Sequence, residues 1–440
     1  MMLNSLSNMI SSKLHSFRML LPALLLLACM IPAHSTETPT RATLPNGLTL
    51  IVCPNHLTDL VAVEAMLNVS ALDEPGDQAG IRHLLRQLSQ RGSRLKRGEL
   101  EAWGGEVGTE VGLDYVEYNA LVVSDGFGAA IKALADMIQL PDFAGADIER
   151  LKTDQTDYQE ALHKDPFQSA YLLLRKQLYG DFPYGKTTAG EQTSIGNITL
   201  DGLKDFHARW YVPNNTTLVV SGNVEPAQAQ QIVERSFGKW EKQPLPERKY
   251  AGPAPLEDSN VAVEEGEVDN AHMMIGFPAP AAGANQEFAA FQLLSSLLGR
   301  GMSGRLITSL RDKARVAYDI SCFYPTLKQD SHLVVYVVCD AERLEEAKNI
   351  VVQEINKLMQ EPVGKEELEA TKKYAAGQYL LSRQRNRQRA YFLAWYETLG
   401  LGFAFEQDYP TLINQVTPEA LQDITRKYLS QMAISIILPQ

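Results

Sequence analysis

His83, Arg86 and Gln87 stand at spacings that suit a zinc site on one face of a helix. In the pattern H-x-x-E-H, two histidines four residues apart bind one zinc ion, and the glutamate between them activates a zinc-bound water. Here Arg86 replaces the glutamate and Gln87 replaces the second histidine. A guanidinium cannot accept a proton, and an amide is a weaker ligand than an imidazole. We therefore expect a degraded motif and no metal in this chain, with His83 by itself an ordinary helix residue.

The elements that surround this helix repeat in two halves, each with strands, then helices, then a last strand. The first half has a hairpin turning at 46–47, strands at 60–69, 115–123 and 217–221, and helices at 79–90, 128–140, 147–164, 167–179, 200–211 and 224–240. The second has strands at 272–277 and 433–438, a hairpin of 317–324 and 333–338, and helices at 286–298, 341–360, 365–384 and 418–428. We expect an α+β protein that arose by duplication.

Four prolines within residues 243–255 separate the two halves and predict an extended spacer. A chain of 440 residues with 45% hydrophobic content is long enough for more than one core. We place a first domain at 36–243, a linker at 244–256 and a second domain at 257–440.

Residues 1–35 have the pattern of a signal peptide. Lys13 and Arg18 precede an apolar run at 19–31, and the small residues Ala33 and Ser35 allow cleavage after Ser35. We therefore expect export to the periplasm. The alternative is a lipoprotein in which Cys29 carries a lipid anchor.

The charge of the chain limits its partners. With 41 basic and 53 acidic residues, the net charge of −12 argues against binding nucleic acid or anionic lipid through the general field of the protein. Cationic peptides remain compatible with this charge.

Three cysteines follow the leader: Cys53, Cys322 and Cys339. A turn near residue 328 pairs Cys322 with a residue near 335, so Cys322 and Cys339 are off register for a disulfide across the hairpin. We expect buried free thiols and no cysteine metal site.

Two nucleotide-binding patterns occur in the wrong structural context. Residues 180–187 match G-x-x-x-x-G-K-[ST] and residues 299–304 match G-x-G-x-x-G, but each follows a predicted helix. Phosphate binding by these motifs needs a strand before the glycine-rich loop and a helix after it. We interpret the first as a turn between helices and the second as a coincidence.

An ordered set of segments, from about residue 40 to the C-terminus, resembles the M16 peptidases, the pitrilysin, insulinase and mitochondrial processing peptidase group. The set consists of the degraded motif with 90–93, then 103–123, 182–185, 206–215, 219–224, 237–240, 298–306 and 310–318. The resemblance implies an α+β protein of the LuxS/MPP-like metallohydrolase fold, in which two duplicated domains form half of a clamshell.

The first half departs from the family at further positions. The family's third zinc ligand is a glutamate in a helix about 75 residues after the motif, and Tyr158 stands at that position with Glu160 nearby. The edge strand that carries Asn-Ala-x-Thr in the family reads Gly108-Thr109-Glu110-Val111 here. The resemblance therefore implies a catalytically inactive first half, no metal in this chain and zinc on a partner subunit.

The second half retains an arginine and a tyrosine that active M16 peptidases carry in their C-terminal domain. Arg311 and Tyr318 have the seven-residue spacing of an arginine and a tyrosine that, in the family, face the zinc across the closed chamber. A guanidinium can hold a substrate carbonyl or carboxylate, and a phenol can donate to a developing oxyanion. The alternative is an arginine at a helix end and a tyrosine in the core of a strand.

Together these features predict an exported subunit that is not catalytic alone and belongs to a heterodimeric zinc endopeptidase. The expected partner is an M16 homologue with an intact H-x-x-E-H, and the expected ligand is a peptide substrate bound by Arg311 and Tyr318. One alternative is a peptide-binding or scaffold protein without a proteolytic role. Another is an active peptidase with rearranged ligands.

Overall fold

A computed structural model describes residues 38–440 except 93–99, 146, 257–258, 284, 300 and 302. The predicted signal peptide, and Cys29 with it, lies outside the described residues. The first half contains a six-stranded sheet in the order β1-β2-β6-β3-β5-β4. Its strands are β1 (Thr40–Thr43), β2 (Thr49–Pro54), β3 (Leu60–Leu67), β4 (Glu106–Val111), β5 (Val116–Val123) and β6 (Thr216–Gly222). β2 and β6 run parallel, and the other neighbours are antiparallel.

The helices of the first half lie on one face of this sheet, except that Pro166–Tyr179 packs on the sheet of the second half. They are α1 (Ile81–Gly92), α2 (Phe127–Gln139), α3 (Ile148–Lys164), α4 (Pro166–Tyr179), α5 (Gln192–Asn197), α6 (Leu200–Trp210) and α7 (Pro226–Phe237). Side-chain caps begin several of them: Asp147 accepts from the Arg150 amide at the start of α3, and Thr199 accepts from the Gly202 amide at the start of α6. Val61 and Val63 of β3 pack into the helix-covered core, whereas Met66 faces the opposite side of the sheet.

The second half repeats this arrangement with one strand fewer. Its sheet has the order β7-β11-β8-β10-β9, with strands β7 (Asn260–Gly266), β8 (Ala271–Ala279), β9 (Ala317–Phe323), β10 (Ser331–Cys339) and β11 (Ala433–Pro439). Its helices are α8 (Gln286–Gly299), α9 (Leu344–Gln360), α10 (Lys365–Leu381), α11 (Asn386–Thr398), α12 (Phe405–Gln415) and α13 (Pro418–Tyr428). β7 and β11 run parallel as β2 and β6 do, and β9 occupies the edge that β4 occupies in the first half. The shared strand order supports the predicted duplication.

Each half contributes one helix to the second face of the other half's sheet. α11 packs on β3 and β6, where Leu393 and Ala394 join Met66 and Val219 in a buried cluster. α4 packs on β8 and β11, and the Ser435 hydroxyl donates to the Ala170 carbonyl at 2.7 Å. Because of this exchange, Pro39–Gln440 form one compact unit.

Several predicted elements agree with the structure and others are corrected. Cys322 pairs with Val335 in the β9–β10 hairpin, as the turn near 328 predicts, and the three described cysteines are buried and form no disulfide. Residues 180–187 lie between α4 and α5, with a 3-10 turn at Pro183–Gly185, and the G-x-G-x-x-G segment lies partly outside the described residues.

The second half holds three elements that the sequence pattern missed. They are β7, α11 and α12, and the predicted helix at 365–384 ends at Leu381. Residues 244–256 have no regular secondary structure, while the domain bounds on either side remain a prediction. In the described part of the chain, no helix is long and apolar enough to cross a membrane.

Candidate functional site

The start of α1 is fixed by a buried ion pair. The Arg82 side chain is fully buried, and its Nε donates to Glu74 Oε1 at 2.9 Å. Its Nη1 donates to the carbonyls of Val69 and Gly112 at 3.0 and 2.7 Å, which ties the helix to the ends of β3 and β4. Gly80 precedes the helix with φ 96°, and a Cβ there would lie 2.4 Å from the Ala189 carbonyl oxygen. The first turn of α1 is therefore held in one position.

His83 points from this turn into a site dominated by positive charge. Arg86 Nη2 donates to His83 Nε2 at 2.9 Å, so the imidazole serves as an acceptor. Burial first, and then the charges of Arg86 and Arg82, lower the pKa of His83 to about 3. His83 is neutral at physiological pH, and Nδ1 carries its proton without a hydrogen-bond partner among the described residues.

Tyr158 and Gln87, which stand where the family has its other two zinc ligands, lie near His83 and Arg86. The Tyr158 ring of α3 packs on the His83 ring with 4.9 Å between centroids, at the position where the sequence comparison places a third ligand. Gln87 turns to α3 as well, and its Nε2 donates to Gln155 Oε1 at 3.3 Å. Glu160 is exposed. The structure thus brings together His83, Arg86 and Tyr158.

This donor set does not fit zinc. The imidazole nitrogen that would bind the ion already accepts from Arg86, and a fixed guanidinium there repels a cation. A phenol and an amide stand where a carboxylate and an imidazole are needed. In the ranges that the structure describes, no group of three His, Cys, Asp or Glu residues is placed to hold a metal.

The edge strand β4 lies beside α1. The Gln90 amide of α1 donates to the Thr109 hydroxyl of β4 at 2.7 Å. Among the described residues β4 pairs with β5 alone, so it is an edge at which a further strand can add.

Arg311 and Tyr318 are both accessible in the second half. Arg311 lies in a π-helical segment, Ile307–Lys313, with its side chain 40% exposed and its Nε 3.1 Å from Asp312 Oδ1. Tyr318 is the second residue of the edge strand β9, is 64% exposed, and donates its phenol proton to Asp340 Oδ1 at 2.9 Å. The hydrogen bond to the Asp340 carboxylate raises the pKa of Tyr318. The alternative that places Tyr318 in the core is wrong, because β9 is an edge strand and turns this side chain to solvent.

The segment between these two residues is held in an uncommon backbone conformation. Arg315 has φ 55°, a left-handed value that costs a non-glycine residue roughly 1 kcal/mol or more. Arg343 Nη1 donates to the Arg315 carbonyl at 3.0 Å and holds the turn in place. The turn fixes how Arg311 and Tyr318 are presented relative to each other.

The structure also contains a buried acidic pair that the sequence pattern missed. Glu64 of β3 and Glu117 of β5 are both buried on the sheet face that α11 covers. Burial, and next the nearby Glu117 carboxylate, raise the pKa of Glu64 well above its ordinary value. The signal available in the sequence is a lone glutamate in the otherwise apolar β3 and a glutamate beside Tyr118 and Asn119 in the largely apolar β5.

Comparison with known proteins assigns a family to this architecture. The model of the insulinase family, peptidase family M16, matches residues 50–192, and the model of the peptidase M16 inactive domain matches residues 197–374. The chain belongs to peptidase family M16. An uncharacterized zinc protease of Rickettsia felis is 25% identical to this M16 chain over 391 residues, covering 87% of the chain and 90% of the relative. The uncharacterized zinc protease YmxG of Bacillus subtilis is 22% identical over 413 residues, covering 91% and 98%.

Solved structures show the same M16 fold. A protease from Helicobacter pylori superposes with a TM-score of 0.82 at 21% identity, covering 92% of this chain and 100% of that one. The peptidase M16 inactive domain from Pseudomonas fluorescens gives 0.82 at 20% identity, covering 92% and 99%. The predicted α+β fold, two duplicated M16 domains forming half of a clamshell, is confirmed.

Proposed function

We propose that this chain is the non-catalytic subunit of a heterodimeric M16-type zinc peptidase. In this proposal the partner is an M16 homologue with an intact H-x-x-E-H and holds the zinc, whereas this chain holds none. Residues 1–35 direct the chain to the periplasm, with or without a lipid on Cys29. Arg311 and Tyr318 contact the peptide that the partner cleaves.

The observation that carries the proposal is the contact between Arg86 and His83. Its 2.9 Å hydrogen bond uses the nitrogen a metal would need and places a guanidinium beside it. A single substitution of the catalytic glutamate would leave a metal site intact. Here the base and the second histidine are both replaced, and the arginine forms a new contact that stabilises the metal-free arrangement.

A second observation concerns the availability of Arg311 and Tyr318. Arg311 pairs with the exposed Asp312 carboxylate and Tyr318 donates to the exposed Asp340 carboxylate, and exposed polar contacts of this kind are weak. A substrate carbonyl or carboxylate can displace such partners at little cost. The strained turn at Arg315 supports a binding role, because uncommon backbone conformations cluster at functional sites.

The open edge of β4 supports the second candidate, a peptide-binding or scaffold protein without a proteolytic role. Such a protein also needs no zinc and can bind an extended chain by strand addition. The two candidates differ in whether a catalytic M16 partner exists.

The test is purification of the tagged protein from its native envelope fraction, followed by reconstitution. We expect a chain of similar size with an intact H-x-x-E-H to co-purify in a fixed ratio, and the pair to cleave peptides that neither cleaves alone. Recovery of this chain alone, or within an unrelated assembly, would contradict the peptidase-subunit proposal and favour the peptide-binding or scaffold role.

Arg311→Ala tests the role of the second half within that pair. We expect peptide turnover to fall about tenfold or more while the two chains stay associated, because one charge-assisted contact to the substrate is lost. Arg150→Ala, at an exposed arginine on α3, is the matched control and should leave turnover unchanged. Full activity of the Arg311 variant would contradict the proposed contact.

A further inference from the structure

Helices α8, α10, α11 and α12 of the second half surround a cavity that the proposed function does not use. Its volume is about 370 Å³, within the range of small-molecule sites. Half of its lining residues are aromatic, among them Phe288, Tyr379, Phe392, Tyr396, Phe405 and Tyr409. Gln378 lies at its exposed side. The cavity therefore combines aromatic and polar lining groups with access from solvent.

One cation stands in this aromatic wall. The Arg383 side chain is 8% exposed, and its guanidinium carbon lies 3.2 Å from the centroid of the Tyr379 ring and 4.4 Å from that of Phe392. Its Nη1 donates to the Tyr379 carbonyl and the Ser382 hydroxyl at 2.9 and 3.0 Å, and its Nη2 donates to the Tyr396 phenol. Its Nε has no hydrogen-bond partner among the described residues.

The charge of Arg383 is only partly balanced. Glu406 accepts two hydrogen bonds from Arg389, at 3.1 and 3.0 Å, and its Oε1 lies 3.8 Å from Arg383 Nε. One carboxylate thus faces two guanidinium groups, and no acidic side chain is among the described residues that line the cavity. Burying a cation without a paired anion costs free energy. An anionic ligand that enters the cavity and lies beside Arg383 would offset this cost.

We propose that this cavity binds a small aromatic monocarboxylate. The aryl ring packs among the aromatic side chains, where offset and edge contacts are favourable. The carboxylate lies at Arg383, close to the Ser382 hydroxyl and the Gln378 amide, and supplies the missing negative charge. The site uses neither the zinc chemistry nor a partner subunit. Ligand binding to it can therefore be tested separately from the proposed function.

Calorimetric titration of the purified protein with 3-phenylpropanoate tests the assignment, with the neutral 3-phenylpropanamide as the matched ligand. We expect the acid to bind at least about tenfold tighter than the amide, because only the acid forms a charge-assisted contact with Arg383. Equal binding of the two ligands, or no binding of the acid at millimolar concentration, would overturn the proposal. Tighter binding of the tripeptide Ala-Ala-Phe than of the free acid would also overturn it, since the ligand would then be a peptide terminus.

Two variants locate the binding in the cavity. Ala375 lines the cavity from α10, so Ala375→Leu should fill part of it and weaken binding about tenfold or more. Ala376→Leu on the same helix is the control, because Ala376 is not a lining residue, and it should bind as the unaltered protein does. The acid-to-amide ratio of the unaltered protein keeps the test valid if Ala375→Leu fails to fold. Undiminished binding by a folded Ala375→Leu variant would place the ligand elsewhere.

Discussion

Arg86 Nη2 donates to His83 Nε2 across 2.9 Å, so the protein's own cation stands beside the nitrogen that would bind zinc. The contact explains how a buried histidine persists after its co-ligands are lost. Its lone pair is satisfied, and the arginine that replaces the general base now holds the ring. In the folded protein, His83 and Arg86 thus form a structural contact within α1.

Zinc binding should return when the three altered positions are restored together. The variant Arg86→Glu/Gln87→His/Tyr158→Glu removes the guanidinium and supplies an imidazole and a carboxylate around His83. We expect about one zinc ion per chain, measured by metal analysis and calorimetry, against none for the unaltered protein.

A fourth substitution provides the control for this experiment. Adding His83→Ala to the triple variant removes the retained ligand and should abolish the restored binding. Zinc retained without His83 would mean that the ion binds elsewhere on the chain.

The pH dependence of stability should carry a contribution from His83. Its pKa is lowered from 6.5 to about 3 in the folded state, so between these values only the unfolded chain takes up this proton. The contribution is complete above pH 6.5 and is lost as the pH falls, by about 2 kcal/mol at pH 5. His83→Gln should therefore lose less stability than the unaltered protein between about pH 7 and pH 5 in urea unfolding. His163→Gln, at an exposed histidine of α3, should lose as much as the unaltered protein does.

Glu64 should act in the opposite direction. Burial raises its pKa well above 4.5, so its contribution to stability is complete below pH 4.5 and is lost as the pH rises toward the folded-state value. Glu64→Gln removes this loss, and its unfolding free energy relative to the unaltered protein should increase with pH. Glu160→Gln at an exposed position should show no such trend. A pH-independent difference for Glu64→Gln would mean that the carboxyl is charged in the folded protein.

Leu393 tests how much the exchanged helix contributes. Its side chain on α11 is fully buried against the first-half sheet, so Leu393→Ala should cost about 2–5 kcal/mol of unfolding free energy. Leu381→Ala is the matched control, because Leu381 is 54% exposed and should change stability by about 0.5 kcal/mol or less. Equal effects in urea unfolding would show that the α11 contact is not part of the stable core.

The sequence predicted α1 because one face of that helix is polar and the other is apolar, which gives a clear period. It missed α11, since that helix packs Leu393 and Ala394 on one side and exposes Phe392 and Tyr396 to an aromatic cavity on the other. A helix buried on two sides has no polar stripe, and its period is lost. β7 was also missed. It is an edge strand on which the apolar residues Val261 and Val263 are exposed, so its pattern does not indicate a buried face.

The sequence predicted those features of the candidate site that depend only on which amino acid occupies a given position. Arg86 and Gln87 exclude the zinc motif by their side chains alone, and Tyr158 was placed by its distance along the chain. The contact between Arg86 and His83 was not predictable, nor was the position of Arg383 in an aromatic wall. Both depend on rotamers and on helices that meet only in the folded protein.

The helix exchange has a mechanical consequence for any assembly built from this chain. Since α4 supports the second sheet and α11 supports the first, moving one half away from the other would expose the buried faces of both sheets at once. Among the described residues, the packing of α4 and α11 therefore opposes bending of the chain at its linker. In the proposed heterodimer, we therefore expect a substrate to enter by separation of this chain from its partner.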